Sequence, residues 1–222
     1  MKRLMLAAAA ALVACEGPTI PPRVDSEIYP FHLATSPPSV LRWPSGTAIR
    51  VFVAGGSGER ATILQEAFAA GASVWNASAR YGEYKLVQAT SLRDADVVLR
   101  WSDDIAPVDL GACEPEISRA VTTFCLRDDD AKRLHVYPLT GADAGAPSSV
   151  RMIVTILSSE ATRTDRGRRL VVHELGHVLG IARHSPDAGD LMFGGELTRS
   201  TLSRRDAATI GVLYHTQPAV TP

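Results

Sequence analysis

The sequence carries almost no excess charge of either sign: 23 Lys and Arg against 24 Asp and Glu leave a formal net charge of −1 over 222 residues. No basic face of the kind that tracks a phosphate backbone is expected, so nucleic acid is excluded as a partner class. Cysteine is equally scarce, at three residues: Cys15, Cys113 and Cys125. Long apolar runs are missing too. The one candidate, LMLAAAAALVA at 4–14, is too short to span a bilayer stably. Histidine is thin through the middle of the chain, with only His135 between residues 44 and 172. A composition of 45% hydrophobic and 21% charged residues fits one globular domain.

What is present starts at the N-terminus. MKR followed by the apolar run reads as a secretory signal over 1–14. Its end, LVAC, resembles the lipobox of bacterial lipoproteins, in which the cysteine is lipidated. The resemblance implies a lipid anchor on Cys15 and a place in the bacterial cell envelope. Glu16 after the cysteine implies the outer membrane, periplasmic or surface-facing. Ordinary cleavage giving a secreted, soluble protein is the alternative. With Cys15 assigned to lipid, Cys113 and Cys125 remain as a pair in an oxidising setting, and a disulfide between them is expected to stabilise the fold by about 3 kcal/mol. Two free cysteines in a metal site lack a second close-spaced pair. Residues 15–43 are expected to form a proline-rich tether, seven of the 14 prolines falling between 16 and 44. An inhibitory pro-segment is the rival reading.

The chemistry concentrates in HELGHVLGIARHS, 173–185, which holds three of the six histidines. His173 and His177 are four residues apart, so a helix places both imidazoles on one face. Glu174, offset by about 100° around the helix, can stand beside a metal without ligating it and act as general base and acid. Gly180 can take the left-handed conformation that ends a helix and turns the chain, carrying His184 towards the same ion. Three imidazoles leave one position of a tetrahedral zinc open to water, the arrangement of a catalytic site. A helical histidine pair alone would more often be surface or core histidine.

The longer pattern resembles the HExxHxxGxxH signature of the metzincin zinc endopeptidases. Met192, in DLMFG eight residues after His184, resembles the methionine that those enzymes place in a tight turn beneath the metal. Ser185 directly after His184 resembles the matrixin branch, and Gly194 stands where astacins and serralysins carry tyrosine. LRWPSGTAIRVFV, AFAAGASVWNASA and LSRRDAATIGVLY resemble the first strand, first helix and closing helix of matrixins. The resemblance spans roughly 41 to 215 and implies an α+β fold: a twisted mixed sheet of about five strands with a long first helix, an active-site helix and a C-terminal helix. It implies zinc on His173, His177 and His184, with Asp206 buttressing the methionine turn. Animal matrixins also hold a structural zinc on further upstream histidines; with only His135 in that stretch, none is expected here. A cysteine switch is equally without a cysteine to form it.

The resemblance therefore implies a zinc-dependent endopeptidase over 44–216, with a tail at 217–222. A protein or peptide substrate and a monomeric state are expected. A surface-binding lipoprotein on an inert scaffold, and hydrolysis of a non-peptide amide, are the competing functions.

Elsewhere, IRVFV, YKLVQAT and DADVVLRW read as strands, and ATILQEAFAAGASVWNASA as a helix with Ser57 as its cap. AVTTFCL, RLHVYPL and VRMIVTIL all read as strands, although the family's sheet needs only two from this region. AVTTFCL is the preferred antiparallel edge strand above the cleft. The acidic turn Asp128–Asp130 can hold calcium but reads more simply as solvated surface. The basic run RTDRGRR, 163–169, has its arginines against the helix dipole and reads as a solvated face, with a partner carboxylate or phosphate as the alternative.

Overall fold

The computed structural model describes residues 27–103, 120–128, 134–137, 150–161 and 164–222. Cys15, Cys113, Asp129 and Asp130 lie outside these residues, and with them the expected lipidation, disulfide and acidic-turn sites. None of the described helices is long and apolar enough to cross a membrane.

The chain runs β1 (Thr47–Ala54), α1 (Glu59–Asn76), β2 (Tyr84–Gln88), β3 (Val97–Ser102), β4 (Ala120–Thr123), β5 (Cys125–Asp128), β6 (Leu134–Tyr137), β7 (Met152–Leu157), α2 (Thr164–Val178) and α3 (Arg204–Tyr214). Five strands form one mixed sheet in the order β2-β1-β3-β7-β4. The first four are parallel and β4 is antiparallel to β7, with Thr122 opposite Val154. The fold is α+β, and among the described strands β4 is the antiparallel edge of the sheet, with β2 at the other edge. AVTTFCL divides at Phe124: its first half joins the main sheet, and its second half pairs with RLHVYPL in a separate hairpin of β5 and β6.

Alternation in β1 explains its seating. Ile49, Val51 and Val53 are buried on the helix side, while Arg50 faces out to Asp96. Against that inner face lies α1, whose Leu64, Phe68 and Trp75 share one buried stripe. The helix begins at Glu59 with Gly58 as N-cap, not Ser57; Gly58 at φ 81 turns the chain, and its carbonyl accepts from the amides of Ala61 and Thr62. α1 packs closely on α2 because Gly71 has no side chain: a Cβ there would stand 2.8 Å from a Leu175 methyl. Trp75 Nε1 seals the contact by donating to the Val172 carbonyl at 2.7 Å.

The expected tether needs correction. From residue 27 onward the segment packs on the domain, with Tyr29, Phe31, Leu33, Val40, Leu41 and Trp43 all buried in the main core. Prolines interrupt its periodicity, but these side chains bury too much apolar surface to stay in water. The expected tail is also engaged: Val220 is buried and its amide donates to the Val40 carbonyl at 3.0 Å. The arginine run has found a carboxylate, since Arg166 Nε lies 3.2 Å from buried Glu160.

Candidate metal centre

Helix α2 carries His173, Glu174 and His177 and stops where Gly180 takes φ 108. The Gly180 amide donates to the His177 carbonyl at 2.9 Å and the Ile181 amide to that of Gly176 at 3.1 Å, the double closure of a Schellman motif. A Cβ on Gly180 would be driven into the Leu41 carbonyl oxygen, so glycine is required twice over.

The turn holds one residue more than the metzincin spacing. Ile181, Ala182 and Arg183 separate Gly180 from His184, where HExxHxxGxxH has two residues. The longer loop is tied down locally. Ile181 offers its carbonyl to His177 Nδ1 at 2.5 Å, the Ala182 amide donates to the Phe31 carbonyl at 3.0 Å, and Arg183 Nε donates to the His32 carbonyl at 3.2 Å. His184 still reaches the other two. The three ring centroids form a near-equilateral triangle with sides of 5.0, 5.0 and 5.2 Å.

One ring nitrogen from each histidine lies within 4.8 Å of the others. His173 Nδ1 sits 2.8 Å from the Leu191 carbonyl, so Nδ1 of both His173 and His177 faces a backbone oxygen and carries the proton. That leaves Nε2 as a lone-pair donor in each. His177 Nε2 and His184 Nε2 are 3.3 Å apart. Two ligands of a tetrahedral zinc with 2.0–2.1 Å bonds stand about 3.3 Å from each other, so this pair fits that ion, and the His173 nitrogen lies within 4.8 Å of both. Burial, reinforced by the neighbouring His177, pushes His173 down to about 3, and burial also lowers His177. Both imidazoles are thus neutral at pH 7, the form that ligates.

Glu174 is buried beside the cluster. Loss of solvent pushes its carboxyl up to about 7, while a hydrogen bond from Thr122 Oγ1 to Oε2, at 2.7 Å, pulls the other way. Thr122 comes from the edge strand β4. No motif in the sequence pointed to it, because the contact joins residues 52 positions apart.

Met192 lies fully buried below α2. Gly176, between the two helical histidines, leaves the space it occupies: a Cβ there would strike Met192 Sδ and come within 2.8 Å of Trp75. Asp206, on the first turn of α3, is completely buried and accepts from the Leu191 amide at 2.8 Å and the Met192 amide at 3.3 Å. It also takes part in a capping box with Ser203. Ser185 Oγ donates to buried Asp190 at 2.5 Å, and Ser203 Oγ donates to the other oxygen of that carboxylate at 2.6 Å. These bonds join the histidine loop to α3.

No family model matches the sequence, and no curated protein matches it. Solved structures do. The chain is similar to a crystal structure of myroilysin at 14% identity, covering 79% of this chain and 86% of that one with a TM-score of 0.42. A second structure of myroilysin gives 15% identity, 79% and 96% coverage, and a TM-score of 0.41.

Proposed function

We propose that the protein is a zinc-dependent endopeptidase. The observation that carries this reading is the convergence of His173, His177 and His184, with Glu174 buried beside them, on a motif that resembles the metzincin signature. A zinc ion held by the three imidazoles supplies a Lewis acid for a peptide carbonyl and makes water a stronger acid.

The rest falls to the chain itself. Glu174 takes a proton from the attacking water and passes it to the amide nitrogen as the C–N bond breaks, so that water and a peptide bond become a carboxylate and an amine. The carbonyls of Leu191 and Ile181 hold the two helical imidazoles in one tautomer throughout. β4 stands at an edge of the sheet among the described strands, and an extended peptide would align along it as one more strand. The signal-like N-terminal run and lipobox-like LVAC support, in our reading, a lipid-anchored protein of the bacterial envelope.

Expression of residues 16–222, followed by zinc analysis and a mixed peptide library, tests the proposal. One zinc per chain and cleavage that disappears in Glu174→Ala is the expected result. Zinc binding without cleavage would favour the inert scaffold, and cleavage of small amides but not peptides would redirect the substrate class.

A further inference from the structure

The segment from residue 27 to 43 does more than fill the core. It touches the candidate site at several points: Phe31 and His32 accept from the histidine loop, the Leu41 carbonyl crowds Gly180, and Trp43 Nε1 donates to the Val178 carbonyl at the end of α2 at 2.8 Å. Its most consequential contact is Tyr29. The hydroxyl donates to Asp206 Oδ1 at 2.8 Å and the amide donates to Thr209 Oγ1 at 3.2 Å, while the Arg205 guanidinium lies over the ring, 5.8 Å from its centroid.

From Asp206 the connections continue. Oδ2 receives the Leu191 and Ser203 amides at 2.8 and 2.7 Å, whereas Oδ1 has Tyr29 at 2.8 Å and a longer contact to the Met192 amide at 3.3 Å. The Leu191 carbonyl then accepts from His173 Nδ1 at 2.8 Å. A buried carboxylate with one oxygen firmly held and the other loosely held can rotate. Tyr29 supplies the strong contact on the loose side, which fixes the Leu191–Met192 backbone.

We propose that Tyr29 is a positioning residue for His173, acting through Asp206 and the Leu191 backbone to aim Nε2 at the metal. The inference rests on the metal-site reading above but not on peptidase activity. Partners beyond the ligands of a metal site commonly alter affinity by about 10–100-fold, and a residue this far out belongs at the low end of that range.

Tyr29→Phe removes one hydroxyl and keeps the ring beneath Arg205. Zinc affinity, measured by competition with a chelating dye, is expected to fall about tenfold, and the visible absorption of the cobalt-substituted protein is expected to shift. Tyr84→Phe is the control: Tyr84 is equally buried and loses bonds to Ser78 Oγ and the Trp75 carbonyl, yet no hydrogen bond links it to Asp206. It should leave both readouts unchanged. Thr209→Val, which releases the Tyr29 amide, should move them in the same direction as Tyr29→Phe and stands in if that variant does not fold. Native affinity and spectrum in Tyr29→Phe, or equal changes in Tyr84→Phe, would overturn the assignment while leaving the peptidase intact. Zinc bound with these shifts but without peptide cleavage would sink the peptidase alone. No zinc bound by the native protein would overturn both.

Discussion

Glu174 is a residue whose burial works against its charge. Its carboxyl titrates at about 7 in the fold against an ordinary value of 4.5, with loss of solvent as the largest cause. A raised acid is neutral more of the time when folded, so its contribution to stability is fully present below pH 4.5 and disappears as pH rises through 7. The difference corresponds to about 3 kcal/mol. Zinc-free Glu174→Gln should therefore exceed the parent in stability above pH 7 by roughly that amount, with the advantage vanishing towards pH 4. His173, lowered to about 3, has the opposite slope but is present in both proteins and cancels in the comparison. Urea unfolding with a chelator at pH 4, 6 and 8 measures it; parallel curves would show that the carboxyl does not titrate as its surroundings require.

Elements differ in how legibly the sequence announced them. Four-residue spacing within α2, alternation in β1, and the Gly180 turn follow from local geometry, and local geometry is what a sequence displays. Tyr29, Phe31 and Trp43 gave no such signal. Prolines broke the period, and their partners in α2, the histidine loop and α3 lie more than 130 residues away. Three strand-like runs also outnumbered the places in the sheet, and only pairing showed that AVTTFCL serves two sheets. The additional residue between Gly180 and His184 is visible in the sequence, but its accommodation is not, since Phe31 and His32 hold the loop from outside. A chain beginning at residue 44 provides the test. It lacks six buried side chains, Tyr29, Phe31, Leu33, Val40, Leu41 and Trp43. At about 1.5–3 kcal/mol each, their loss is comparable to the roughly 5–15 kcal/mol that holds a typical domain together. Such a chain should show no cooperative thermal transition, whereas one beginning at residue 27 should melt cooperatively. A sharp transition in the shorter chain would restore the tether reading.

Across the whole molecule, Thr122 links the sheet to α2 at the candidate site. β4 closes the sheet at its edge, α2 crosses beneath it, and Thr122 Oγ1 spans the two by donating to Glu174 Oε2. The strand that would receive an extended peptide therefore also holds the group that would move its proton. Hydrogen bonds to charged groups contribute about 1.5–3 kcal/mol, and a carboxylate free to turn away from its task loses rate by the same factor, about 10–100-fold. Thr122→Val keeps the shape of the side chain and removes the donor. It should lower kcat by about tenfold or more, leave KM and zinc content nearly unchanged, and be rescued by Thr122→Ser. A rise in KM with kcat intact would instead assign Thr122 to substrate binding along the edge. Failure of serine to rescue would point to packing of the Thr122 methyl against α2, because the hydroxyl is the only group that serine and threonine share and valine lacks.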